Sequence, residues 1–268
     1  MNILVATNFS KLSDNAVMYS ASLAMEFKTK LIIFNAFQLS THASNARLSG
    51  ASVEVLIENN RSRLEKLALD IMEKFDIKVE YKCSFVSLDQ EAERLMEAYN
   101  SRLLVIGMSP KSMEQNLLGN PTTTLISMKR FPVLAVPIDA KYAGIKNILF
   151  ACDLLAGIPL KTLAKLRELA IMLNAKVTVF YVEQKVNELK AIAKDEINNE
   201  LEDVTILYKN VKSNTVIEAI ETELKKSKSD LLVMMPRKYG FWESIMHKSK
   251  TRVMASGLNI PLLSIPIE

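Results

Sequence analysis

Few residues of the chain have the types and spacing that chemistry demands. The only histidines are His42 and His247, and the only cysteines are Cys83 and Cys152. Neither type clusters as a zinc site or a disulfide framework requires. Hydrolysis needs a positioned base and an electrophilic clamp, and no histidine–acid pair or carboxylate cluster supplies them. Binding is therefore expected rather than turnover, with a slow ATPase left open. Both cysteines lie in or at the end of apolar runs, where cysteine behaves as a small hydrophobe, and His42 falls in a polar stretch, residues 38–52, expected to form a mobile flap. Glycine is scarce, 7 in 268 residues against an average usage of about 7%. The two closest, Gly107 and Gly119, stand twelve positions apart, so neither G-x-G-x-x-G nor G-x-x-x-x-G-K occurs.

One basic stretch stands out, with Arg237, Lys238, Lys248, Lys250 and Arg252 interrupted by Phe241, Trp242 and Glu243. It has two readings: a solvated loop anchored by its aromatic residues, or an anion site built from side chains, with Ser249 as a helix cap. The net charge of +4 is too small to imply nucleic-acid binding without a concentrated patch. No stretch approaches the roughly 20 apolar residues that cross a bilayer, and the amino terminus lacks a basic flank before a long apolar core. The expectation is a cytoplasmic protein with no membrane partner.

The elements that must carry these residues repeat along the chain. Asn2-Ile-Leu-Val-Ala-Thr-Asn-Phe recurs as Asn147-Ile-Leu-Phe-Ala-Cys-Asp-Leu, an offset of 147 − 2 = 145. Ser101-Arg-Leu-Leu-Val-Ile recurs as Ser229-Asp-Leu-Leu-Val-Met, and Phe131-Pro-Val-Leu-Ala-Val-Pro-Ile-Asp as Ile260-Pro-Leu-Leu-Ser-Ile-Pro-Ile-Glu. Three echoes in one order predict two tandem copies, 1–140 and 145–268, the second shortened.

Within each copy, continuous apolar runs such as Ile3–Ala6, Leu31–Phe34, Leu103–Ile106 and Val133–Val136 read as strands buried on both faces of a parallel sheet. Between them Leu64, Leu67, Ala68, Ile71, Met72 and Phe75 form one apolar face of a helix, as do Ala16, Ser20, Leu23, Ala24 and Phe27, and Leu163, Leu166, Ala170 and Leu173. This alternation predicts two tandem five-stranded, open parallel α/β sheets with helices on both faces. Prolines bracket the last run of each copy, Pro132 with Pro137 and Pro261 with Pro266, which confines it to an edge or a special pairing.

With these runs identified, the chain resembles a tandem universal stress protein. The family's opening I-L-V-A-T-D-F-S stands here as Ile3-Leu4-Val5-Ala6-Thr7-Asn8-Phe9-Ser10. Its closing C-P-V-L-V-V stands as Phe131-Pro132-Val133-Leu134-Ala135-Val136 and as Ile260-Pro261-Leu262-Leu263-Ser264-Ile265. The resemblance implies the Rossmann-like fold of adenine nucleotide alpha hydrolases, the copies packed as a pseudo-dimer with further homodimerisation possible, and a role in stress-related binding or signalling.

Nucleotide-binding members of that family carry G-x2-G-x9-G-[ST] after the fourth strand and an acid at the end of the first. Glycines let backbone approach phosphate, and helix-start amides supply donors. In copy one the resemblance assigns Thr7, Asn8, Gly107, Gly119, Asn120 and Thr122 to an ATP or related adenine-nucleotide site. Pro110 replaces the second glycine and Asn8 the acid, so the site is expected to be weakened. Asn120 reads equally as an N-cap ahead of Pro121 at the first helical position. Copy two retains the acid, Asp153, while its glycine positions read Met235, Lys238 and Lys248, followed by Ser249. Lysine there blocks close backbone approach, leaving Asp153, Lys238, Lys248 and Ser249 as an alternative anion site. The rival to a nucleotide sensor is a scaffold acting through protein–protein contacts.

Overall fold

The computed structural model describes residues 2–38, 50–108, 121–151, 160–182, 195, 197–199, 201, 204, 206–211, 216–235 and 260–267. The chain divides into two compact units, residues 1–109 with 133–142, and residues 110–132 with 143–268.

In the first unit the elements are β1 (Asn2–Ala6), α1 (Lys11–Glu26), β2 (Lys30–Ala36), α2 (Gly50–Phe75), β3 (Val79–Ser84), α3 (Leu88–Ala98), β4 (Ser101–Met108) and β5 (Val133–Pro137). Strand order is β3-β2-β1-β4-β5, every pairing parallel: Ala6 lies opposite Phe34, Val5 opposite Val105, and Gly107 opposite Val136. The strands step one way from β1 to β3, then return to β4 and continue the other way to β5. Right-handed crossovers therefore put α1 and α2 on one face and α3 on the other. Continuous apolar runs suit strands covered on both faces, and Ile3, Leu4, Val5, Leu31 through Phe34, Leu104 and Val105 are completely buried.

Helix α2 differs in detail from its periodic pattern. Leu64, Ala68 and Ile71 are buried, whereas Met72 and Leu69 are 41% and 59% exposed: only the stripe facing β2 and β3 is covered. The helix begins at Gly50, so the last three residues of the predicted flap, 50–52, are its first turn. Residues 39–49, with His42, lie outside the described residues.

Glycine scarcity also shapes the helix ends. Lys28, Asp76, Asn100, Lys129, Asn174 and Lys228 all follow helices in the left-handed region, with φ between 45° and 53°, where glycine is the usual residue. After α1 the amide of Lys28 donates to Met25 O at 3.2 Å and that of Thr29 to Ala24 O at 2.9 Å, satisfying the orphan carbonyls despite the Cβ.

Helix α4 (Pro121–Met128) belongs to the second unit. That unit also holds β6 (Asn147–Ala151), α5 (Leu160–Leu173), β7 (Lys176–Val182), β8 (Ile206–Val211), α6 (Val216–Ser227), β9 (Leu231–Met234) and β10 (Leu262–Ser264). Its strand order, β8-β7-β6-β9-β10, follows the same winding, again all parallel. Leu163, Leu166, Ala170 and Leu173 of α5 are buried, as their spacing predicts.

Candidate functional site

In an open parallel sheet, ligands collect beyond the carboxyl ends of the strands where the strand order reverses. In the first unit that point lies between β1 and β4. It brings Thr7 and Asn8, after β1, to the same edge as Gly107 of β4. Asn35, at the end of β2, lies beside them.

The loop from β1 into α1 is organised by its own side chains. Ser10 is the N-cap, its hydroxyl accepting from Ser13 N while the Ser13 hydroxyl accepts from Ser10 N, a reciprocal cap of the helix start. The amides of three successive residues are likewise occupied. Asn8 N donates to Ser13 Oγ at 3.3 Å, Phe9 N to Thr7 Oγ1 at 3.0 Å, and Ser10 N to Asn8 Oδ1 at 3.2 Å. Asn8 Oδ1 also accepts from the Ser10 hydroxyl at 2.7 Å. This side chain is thus folded back on its own loop in an Asx turn.

Phe9 has φ 59°, a conformation rare for a bulky residue and costing of order 1–3 kcal/mol. The bonds on either side of it and the Arg63 guanidinium, 4.0 Å above its ring, hold it there.

A second polar chain ties β1, β2 and α2 together. Buried Asn35 donates through Nδ2 to Thr7 O at 2.7 Å and accepts from Asn60 Nδ2 at 3.1 Å. Thr7 Oγ1 donates to Ser13 Oγ at 3.1 Å. Asn35, Asn60, Ser13 and Arg63 were missed by sequence reasoning. The visible signals were a polar residue ending the apolar run Leu31–Phe34 and the Ser10-x-x-Ser13 spacing.

Gly107 sits against the first turn of α1. A Cβ there would meet Leu12 Cγ at 2.6 Å and Leu12 O at 3.2 Å. The close approach it permits is that of the first turn of α1. Thr122 is buried in the first turn of α4. Gly119 and Asn120 lie outside the described residues, as do Asp153, Lys238, Lys248 and Ser249, Cys152, His247 and the rest of the basic stretch.

One carboxylate on α3, beside the end of β3, is paired. Glu91, 2% exposed, accepts from Ser84 Oγ at 2.6 Å and from Arg94 Nε and a terminal nitrogen at 2.8 and 2.7 Å. The Arg94 guanidinium holds its carboxyl below the ordinary carboxylate range. Cys83 lies on β3, half-buried, its thiol donating to Ile57 O at 3.8 Å. Burial pushes that thiol up, away from the thiolate a nucleophile needs. Among the described residues no three His, Cys, Asp or Glu side chains converge as metal ligands, and no helix is long and apolar enough to cross a membrane.

Residues 1–137, the stretch that ends with β5, match the universal stress protein family. The chain belongs to the universal stress protein family. Its fold is similar to that of a universal stress protein from Archaeoglobus fulgidus, with 13% identity, 99% of this chain and 96% of that chain covered, and a TM-score of 0.74. A protein of unknown function from Pseudomonas aeruginosa is similar over 99% of this chain and 92% of its own, with 16% identity and a TM-score of 0.57. At these identities the likenesses establish the open, parallel α/β fold alone. A comparison with curated proteins finds no significant match.

Proposed function

We propose that this universal stress protein is a stress-response binding module made of two such domains in tandem, the first holding a weakened site for ATP or a related adenine nucleotide. The observation that carries the reading is the reversal of strand order between β1 and β4, with Thr7, Asn8 and Gly107 at that edge. The family's motif, and not the structure, offers Gly119, Asn120 and Thr122 for the phosphate end. The bound nucleotide is a signal, sensed and not turned over.

The test is an isothermal titration of ATP into the full chain. Saturable binding that is lost in Gly119→Val supports the sensor; no heat up to millimolar ATP refutes it.

A specific observation favours the rival, a scaffold working through protein–protein contacts: the amides of residues 8–10 already donate to Ser13, Thr7 and Asn8. A ligand meets no free donor on these three. The alternative anion site of the second domain, Asp153, Lys238, Lys248 and Ser249, predicts that Lys248→Glu abolishes pyrophosphate binding.

A further inference from the structure

We propose that α1 is a transmitting helix, coupling the ligand edge at the end of β4 to a strap formed by the segment that leaves β5. At its first turn α1 has no slack against the sheet. Any Cβ on Gly107 would lie 2.6 Å from Leu12 Cγ and 3.2 Å from both Leu12 Cδ1 and the Leu12 carbonyl oxygen, so a group wedged there must displace the Leu12 side chain and press on the backbone of the helix start. Three residues further on, Asn15 Nδ2 donates to two carbonyls of the departing chain, Pro137 O at 2.8 Å and Ala140 O at 2.9 Å. The strap then folds on itself through Ala140 N to Pro137 O at 3.2 Å, with Ala140 buried. Below Asn15 on the same helix, the Tyr142 ring meets Tyr19 edge to face with centroids 5.1 Å apart, and its phenol donates to Glu26. One helix thus touches the ligand edge at Leu12 and fastens the strap at Asn15, Tyr19 and Glu26.

Residues 138–142 lie beyond the stretch matched by the family. The strap's upper fastening is of a kind that fails abruptly. Both bonds leave one nitrogen atom, and a shift of α1 by about 1 Å carries both beyond hydrogen-bonding range. A Cβ on Gly107 demands that Leu12 Cγ move from 2.6 Å to an ordinary contact of 3.4–4 Å and that the Leu12 carbonyl oxygen give way from 3.2 Å, and we take the strain on the first turn to be passed along α1 to Asn15. A ligand seated at the β4 end, in the site proposed above, would act on the strap by the same route, and that part rests on the nucleotide reading.

The experiment is limited trypsin digestion of the full chain, following cleavage after exposed Lys141 in the strap against cleavage after Lys66 in α2 as an internal reference for global unfolding. Gly107→Ala is expected to raise cleavage after Lys141 about tenfold, because proteolysis follows the population of the open form, and adding Leu12→Ala is expected to restore the wild-type rate by removing the clash. Asn15→Ala opens the strap directly. Saturating ATP raises cleavage in the wild type and adds nothing in Asn15→Ala. Equal cleavage of Gly107→Ala and wild type overturns the coupling, as does a parallel rise after Lys66 or a failure of Leu12→Ala to restore protection. If calorimetry shows ATP bound while cleavage after Lys141 is unchanged, the ligand arm of the coupling falls and the nucleotide reading stands. If ATP does not bind, the nucleotide reading falls and the Gly107→Ala arm still decides the coupling.

Discussion

Replacing Lys28 by glycine should stabilise the protein, although glycine is ordinarily a destabilising choice. Lys28 sits just past the C-cap of α1 at φ 49°, where the Cβ of an L-residue crowds the following carbonyl at a cost of roughly 1–2 kcal/mol. Glycine removes that strain and returns part of the gain, about 0.5–1 kcal/mol, as extra freedom of the unfolded chain. The main-chain bonds that close the helix, Lys28 N to Met25 O and Thr29 N to Ala24 O, need no side chain and are retained. The net effect is a stabilisation of about 0.5–1 kcal/mol. Equilibrium urea denaturation followed by far-ultraviolet circular dichroism reads it as a higher midpoint at unchanged slope. Lys228, at φ 48° after α6, should behave alike, and the gains should add because the positions share no partner. A Lys28→Gly variant with a lower midpoint would refute the strain account and show the lysine side chain to hold a stabilising contact.

Other predictions concern the site and its supports. Glu91 has a depressed folded pKa, so its contribution to stability is present above its unfolded value and is lost as pH falls through the folded one. Acid denaturation profiles of wild type and Glu91→Gln should therefore converge on acidification; parallel profiles would refute the role given to the Arg94 pair. Asn35→Leu orphans Thr7 O and Asn60 Nδ2 and should cost about 1–3 kcal/mol, read in the same urea assay; a loss under 0.5 kcal/mol would show that water replaces the bonds. Asn8→Asp keeps the acceptor of the Asx turn and adds an acid at the end of β1. It should tighten ATP binding about tenfold, the scale of a charge-assisted hydrogen bond, and an unchanged dissociation constant by calorimetry would show that the edge of β1 does not touch the ligand.

Much of the fold was legible because burial on both faces leaves a plain mark. The runs Ile3–Ala6, Leu31–Phe34, Leu103–Ile106 and Val133–Val136 can be continuous only where no face meets water, and each lies within a strand. Helix boundaries were less legible: Gly50 reads as a loop residue yet opens α2, since the apolar stripe from Leu64 to Ile71 carries the helix through packing on β2 and β3.

The candidate site divides in the same way. The family resemblance pointed to Thr7, Asn8 and Gly107, because the motifs that carry it lie at strand ends, which are local features of the chain. That Asn8 turns back to bond Ser10, that Asn35 reaches Thr7 across two strands, and that Asn15 ties down residues 137–140 involve partners 2, 28 and up to 125 positions apart, with no periodicity to announce the distant ones. Glycine shows the division most sharply. The sequence by itself determined that the familiar phosphate loops are missing and that the first copy, residues 1–140, carries the strand–helix alternation of an open parallel α/β sheet. Only the tertiary structure decided what lies against Gly107, since Leu12, whose Cγ is 2.6 Å from where a Cβ would stand, lies 95 residues earlier and arrives there by the packing of α1 on the sheet.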